Sequence, residues 1–179
     1  MVIPHWRAAY WPYKIFARLF SHPDLKQAFR VLVYYYSEDL LTADVEMTTR
    51  NLPLLENRIW DDIGGPKKQS LLAVYGASLG SVVATRVANK IARLRQDVPA
   101  RLVLNTSGAN FPWAVWNGAS TQDIRRDLEV QNISFPQLVT AWNQFSPVQN
   151  LGTEKIKRYC KSHRRVAIFS IFALMLLPM

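Results

Sequence analysis

Leu71 to Asn89, LLAVYGASLGSVVATRVAN, constrains the fold more than any other segment of this chain. Five uncharged, largely apolar residues, Leu71 to Tyr75, read as a strand buried on both faces, as the centre of a parallel sheet requires. Gly76-Ala77-Ser78-Leu79-Gly80 follows, and from Leu79 onward Val82, Val83, Val87, Ile91 and Leu94 recur at helical spacing. Arg86, Lys90, Arg93 and Arg95 form the polar side of that helix. The chain must therefore reverse sharply from strand to helix. Small residues two before and two after the serine let the backbone pass close to itself. Ser78 is then expected to stand at the carboxyl end of the strand, over the amino end of the next helix, as a candidate nucleophile. The Leu79 N–H, without a partner inside its own helix, is placed to hold an oxyanion. An ordinary strand-turn-helix with a small serine at the bend is the structural alternative.

The rest of the chain extends this alternation. Val2-Ile3-Pro4 reads as the last residues of a strand and His5 to Arg7 as the loop leaving its carboxyl end. Ala8 to Ser21 carries Ala9, Ile15, Phe16, Leu19 and Phe20 at helical spacing and stops at His22-Pro23, since a residue before proline leaves the helical region. Phe29 to Tyr36, FRVLVYYY, is β-branched and aromatic, hence a strand. Leu40 to Asp62 is mainly polar with a stripe of Leu41, Val45, Leu52, Leu55 and Ile59, broken near Pro53 and ended by Gly64-Gly65-Pro66. Ala100 to Asn105 is a further buried strand. Strands alternating with helices predict an α/β fold: a mostly parallel sheet, helices on both faces, and a site at the strands' carboxyl ends. Residues 111–147 depart from the pattern. They hold Trp113, Trp116 and Trp142, with helices expected at Thr121 to Gln131 and Ser134 to Phe145 under Thr121 and Ser134 N-caps, and read as a helical insertion lying over the site as a cap. Its tryptophans are expected to pack cap against sheet more than to touch substrate.

Bulk properties exclude several classes. With 179 residues, 49% hydrophobic and 20% charged, the chain has the composition of a single globular domain, not of a disordered one. The formal charge of +9 is uneven: between Glu154 and Arg165, six cations face one acid, so +5 sits in twelve residues. That is expected to be a solvated basic stretch, and without an aromatic-and-basic interleaved motif or a recognisable reading helix no nucleic-acid partner is expected. Cys160 is the only cysteine, and His5, His22 and His163 are scattered without ligand spacing, so no metal site and no cofactor are predicted. Met1 to Arg7 lacks the pattern of a secretory signal. Val166 to Met179, fourteen nearly uncharged residues, falls short of the ~20 that span a bilayer. A cytoplasmic protein is expected, with peripheral attachment through the basic and apolar tail as a minor reading.

The segment Gly76 to Gly80, the Pro4-His5-Trp6 loop, the Arg101 to Leu104 strand and the cap-like insertion together resemble the α/β-hydrolase family, over roughly residues 2–151. The resemblance implies a serine that attacks a carbonyl, a histidine that takes its proton and an acid that orients the histidine, in the chain order serine, acid, histidine. It makes Ser78 the nucleophile, Leu79 N–H one oxyanion donor and Trp6 N–H the second, although many members have His-Gly where this chain has His5-Trp6. The acid and base do not follow the family pattern. After Asn105 come Thr106 to Asn110 without a carboxylate; Asp123, Asp127 and Glu129 fall in the cap, and no acid follows Glu154. His163 precedes the expected strand Val166 to Phe172, which places it at the wrong end of the sheet; His5 lies on the catalytic side, but a base role there breaks the family order, and a residue of the oxyanion loop is the favoured reading of it.

Residues 1–165 are therefore expected to form an incomplete hydrolase-like domain, lacking amino-terminal strands and the carboxyl-terminal acid and histidine. Residues 166–179 are expected to be a tail of doubtful reading frame, since the codons from Phe172 onward, read two bases out of phase, can spell Asp followed closely by Pro. The expected function is hydrolysis of an ester, amide or similar acyl bond in a small molecule through Ser78, impaired in the chain as written. The alternative is a non-catalytic hydrolase-like fold that binds a small molecule or a partner protein.

Overall fold

The computed structural model describes residues 1–4, 18, 21, 23, 32–34, 36–63, 72–94, 100–105 and 108–151. Within these, strand β1 (Val2–Ile3) is followed by helix α1 (Val45–Ile63), strand β2 (Leu72–Ala77), helix α2 (Leu79–Leu94) and strand β3 (Ala100–Asn105). Four shorter helices complete the order: α3 (Phe111–Asn117), α4 (Gln122–Val130), α5 (Phe135–Trp142) and α6 (Pro147–Leu151). The protein is mixed α/β with a small parallel sheet. The expected helix Ala8 to Ser21, the Gly64-Gly65-Pro66 break, the three histidines, Trp6, Cys160, the basic stretch and the 166–179 tail lie outside the described residues, except that Arg18 is helical and Ser21 N–H bonds its carbonyl at 3.1 Å.

Among the described residues the strands pair in parallel, in the order β1-β2-β3, with Val2 opposite Tyr75, Ile3 opposite Gly76, and β2 matched to β3 from Leu72–Ala100 to Ala77–Asn105. Val33 bridges Val2 in parallel on the other edge of β1, held by Val2 N–H to Leu32 O at 2.8 Å and Tyr34 N–H to Val2 O at 3.0 Å. That is where FRVLVYYY was expected to supply a strand. The spatial sequence is thus Val33, β1, β2, β3. From β1 the chain passes to one side and then returns across it to β2, and this reversal marks the switch point between β1 and β2.

Helix α2 is the centre of the fold. Leu79 to Thr85, Val87, Ala88 and Ile91 are all buried, which a helix achieves only when enclosed on more than one side. One side meets the sheet, where Gly76 and its neighbours face Ala84; the other meets α1 and α6. The α1 stripe is Thr48, Leu52, Leu55, Ile59 and Ile63. It runs through Pro53 without the expected break. Proline removes one helical hydrogen bond and costs about 3 kcal/mol in an isolated helix. Burial of four aliphatic side chains on that stripe, each contributing about 1.5–3 kcal/mol, outweighs it. On the polar flank Arg86 bonds Glu56 of α1 at 2.8 Å and its guanidinium lies 5.2 Å from the Phe145 ring centre, while Lys90 reaches Asn57 at 2.8 Å.

Burial on both faces of β2 is not what the described residues show. Val74 and Gly76 face α2 and are buried, but on the opposite face Ala73 and Arg101 are exposed and Val103 is 46% exposed, although Val2 is buried there. Among the described residues the helices pack on one face of the sheet. The run of apolar residues is continuous because Ala73 and Tyr75 carry no charge.

The insertion forms as a helical unit packed against α1 and α2 through α5 and α6. Ser134 N–H and hydroxyl both bond Gln137 Oε1, at 2.8 and 2.6 Å, at the start of α5. The Thr121 hydroxyl does not cap α4; it turns back to Val115 O at 2.7 Å. Trp142 is fully buried, tilted against Phe111 at 5.4 Å, and its indole N–H lies 3.3 Å from Val45 O and 3.2 Å from Thr49 Oγ1. Trp116 packs on Phe135 at 5.7 Å, whereas Trp113 is 58% exposed.

The packing of the insertion on α1 therefore turns on Trp142. Trp142→Phe, which keeps a ring but loses the N–H, is expected to cost about 1 kcal/mol. Trp142→Ala should cost about 3–5 kcal/mol. Urea unfolding midpoints of the two variants check both values.

Candidate functional site

Ser78 stands between β2 and α2 with a φ of 51°, in the left-handed region that a non-glycine residue enters at a cost of about 1–2 kcal/mol. The surroundings enforce it. Ala77 is still paired with Asn105 of β3, and Leu79 already begins α2, so one residue makes the whole reversal. The Ser78 carbonyl accepts from the Ser81 N–H at 2.9 Å and the Ser81 hydroxyl at 2.5 Å, which fixes the first helical turn. Ser81 itself is fully buried, and the Ser78 side is exposed.

The two glycines answer to different contacts. A Cβ on Gly76 would lie 2.5 Å from Ala84 Cβ and 2.6 Å from Gly80 O, because α2 folds directly back over the strand that precedes it. A Cβ on Gly80 would run into the carbonyl oxygens of Ile3 and Pro4. The first turn of α2 is thus seated against the carboxyl end of β1, backbone on backbone. Ser78 and Pro4 come together at the switch point, where ligands of open parallel sheets bind.

The electrostatics of this corner come from the helix. Leu79 is the first residue of α2, so its N–H has no carbonyl four residues back within the helix, and the amino-terminal end carries partial positive charge. Such an end favours developing negative charge. Among the described residues no side chain hydrogen-bonds the Ser78 hydroxyl. His5 and Trp6, the loop after β1, lie outside the described residues, as does His163. Asp123, Asp127 and Glu129 occupy α4, where Glu129 pairs with Arg125 at 2.8 Å across one helical turn. Asp127 and Glu129 are exposed, as expected of solvated charges, and Asp123 is half-buried.

Tyr36 is a neighbour that the sequence did not single out. Its hydroxyl donates to the Pro4 carbonyl, the same carbonyl that lies under Gly80. In the sequence it is one of three tyrosines ending a strand, and nothing in that run separates the one whose hydroxyl crosses to β1. A surface groove of about 440 Å³ is lined by Val45, Glu46, Thr49, Arg50, Thr140, Ala141 and Gln144, in the seam between α1 and α5; Ser78 does not line it. Among the described residues no group of three or more His, Cys, Asp or Glu is placed to hold a metal ion, and no helix is long and apolar enough to cross a membrane.

No protein-family model matches the chain, and no curated protein matches it either. The site is therefore read from its own geometry.

The left-handed Ser78 makes its substitutions diagnostic. Ser78→Gly should raise stability by about 1 kcal/mol, since glycine adopts that φ freely, whereas Ser78→Ala should leave it nearly unchanged. Gly80→Ala should destabilise by several kcal/mol, because the added methyl meets backbone that cannot yield. Thermal unfolding of the three variants checks the order, and a Ser78→Gly variant less stable than Ser78→Ala contradicts the backbone geometry.

Proposed function

We propose that this protein is a serine hydrolase of the α/β-hydrolase type, acting on an ester, amide or similar acyl bond with Ser78 as nucleophile. The observation that carries the reading is the strained, exposed Ser78 at φ 51°, set on a one-residue reversal at the carboxyl end of a central parallel strand. Strain of this kind persists where surrounding structure imposes it, and it clusters at functional sites. The strand-turn-helix context is the one in which a Gly-x-Ser-x-Gly segment has chemical meaning.

The chemistry follows from the placement. Ser78 Oγ forms a bond to the substrate carbonyl carbon while the C=O π pair moves onto oxygen, and the hydroxyl proton passes to a general base. His5 is the candidate base. The oxyanion is held by Leu79 N–H at the amino end of α2 and by a second N–H from the loop after β1, for which Trp6 is the candidate. Collapse breaks the bond to the leaving alcohol or amine, which takes the proton back. Water then attacks the acyl-Ser78 in the same manner and releases the acid. With His5 outside the family's chain order and no triad acid identified, turnover is expected to be slow. The oxyanion hole and binding alone retain about 10³–10⁴ over the reaction in water.

A fluorophosphonate probe tests the assignment. Labelling of the intact protein at Ser78, absent in Ser78→Ala, is the expected result. A folded, unlabelled protein overturns the hydrolase and leaves the sheet end as a binding site for a small molecule or a partner.

A further inference from the structure

Ser81 carries a buried hydroxyl that the proposed chemistry leaves unused. Its Oγ and its backbone N–H both donate to the Ser78 carbonyl, at 2.5 and 2.9 Å. The residue is fully buried where α2 folds back on β2, so close that a Cβ on Gly76 would stand 2.7 Å from Ser81 Cα. The carbonyl it holds belongs to the peptide unit that joins Ser78 to Leu79. That unit is planar and trans, so its N–H points away from whatever its oxygen faces. With the oxygen drawn toward Ser81, inside the first turn, the Leu79 N–H is turned out of the amino end of α2. Among the described residues nothing accepts a hydrogen bond from it.

We infer that Ser81 is a positioning residue for the oxyanion site: by holding the Ser78 carbonyl it aims the Leu79 N–H at the oxygen on which charge develops. The inference rests on the proposed nucleophilic role of Ser78 and adds to it a side chain from the next turn. Ser81 touches no reacting atom. The Ser78–Leu79 unit lies between the last pairing of β2 and the first turn of α2, where the two bonds from Ser81 oppose its rotation. An oxyanion donor is effective only when aimed at the substrate oxygen, and loss of one costs about 10²–10³ in rate. Loss of the Ser81 hydroxyl leaves the Ser81 N–H in place, so the donor is loosened and not deleted, and the expected cost is about 10-fold.

The test compares acylation of the full chain by p-nitrophenyl acetate and by its thiono analogue, whose carbonyl oxygen is replaced by sulfur, a weak hydrogen-bond acceptor. Acylation is read as the release of p-nitrophenol that Ser78→Ala abolishes. Ser81→Ala removes the hydroxyl and keeps a good helix former; Ser81→Cys, which keeps the shape with a weak donor, carries the test if the alanine variant does not fold. Thr85→Val is the control, because it deletes a bond of the same kind one turn on, from Thr85 Oγ1 to the Ser81 carbonyl at 2.7 Å, without touching the Ser78–Leu79 unit. In the Ser81 variants the oxygen ester should react about 10-fold more slowly and the thiono ester less than about threefold more slowly, while Thr85→Val leaves the ratio of the two rates unchanged. An unchanged oxygen-ester rate, an equal loss on both esters, or the same change of ratio in Thr85→Val overturns the role of Ser81 and leaves Ser78 standing. No release from either ester, or release that Ser78→Ala does not diminish, overturns the nucleophile, and the role of Ser81 with it.

Discussion

The contact on which the rest of this structure depends is the seating of the first turn of α2 on the end of β1, main chain against main chain, through Gly80. Here a side chain at that point would meet the carbonyl oxygens of Ile3 and Pro4 and hold the helix away from the strand. Once Gly80 is seated, Ser78 has to take the left-handed conformation to complete the reversal, and Gly76 has to lie bare beneath Ala84. The strain at Ser78 is thus imposed by packing on both sides of it. The burial of α2 offsets it many times over.

That helix also links the corner to the remainder of the fold. Its inner side rests on β2 and β3, and its outer side receives α1 and α6. Arg86 couples the layers by bonding Glu56 of α1 and lying over Phe145 of the insertion, while Trp142 ties the insertion to α1 by its indole N–H. Partly buried pairs of this kind contribute modestly to stability, but they fix the rotation of one helix against another. The position of the Ser78 backbone is consequently set by elements far apart in sequence.

Much of the corner was legible from residue spacing. The strand at Ala100 to Asn105 and the helix from Leu79 to Leu94 fall where periodicity put them, and β2, described from Leu72, runs on past Tyr75 through Ala77. Pro53 was misleading, since a proline weakens a helix locally while four buried side chains stabilise it over five turns. On the face of the sheet away from α2 the described residues are mixed, Val2 and Ala77 buried and Ala73 and Val103 exposed, since an uncharged strand residue is compatible with burial without demanding it. The Trp-rich segment is helical as read, yet its three tryptophans have separate fates, one fully buried, one against a phenylalanine, and one exposed, which composition does not distinguish.

The sequence by itself determined the strand-reversal-helix at Ser78 and the need for small residues on either side, because these follow from local sterics and a helical period within some twenty residues. The tertiary structure alone decided what each glycine is for. It put Gly76 under Ala84, Gly80 on the carbonyls of Ile3 and Pro4, and the Tyr36 hydroxyl on that same Pro4 carbonyl. Those three contacts join residues up to seventy-seven positions apart, from Ile3 to Gly80, and no local pattern encodes a distance between strands that meet only when the sheet is assembled.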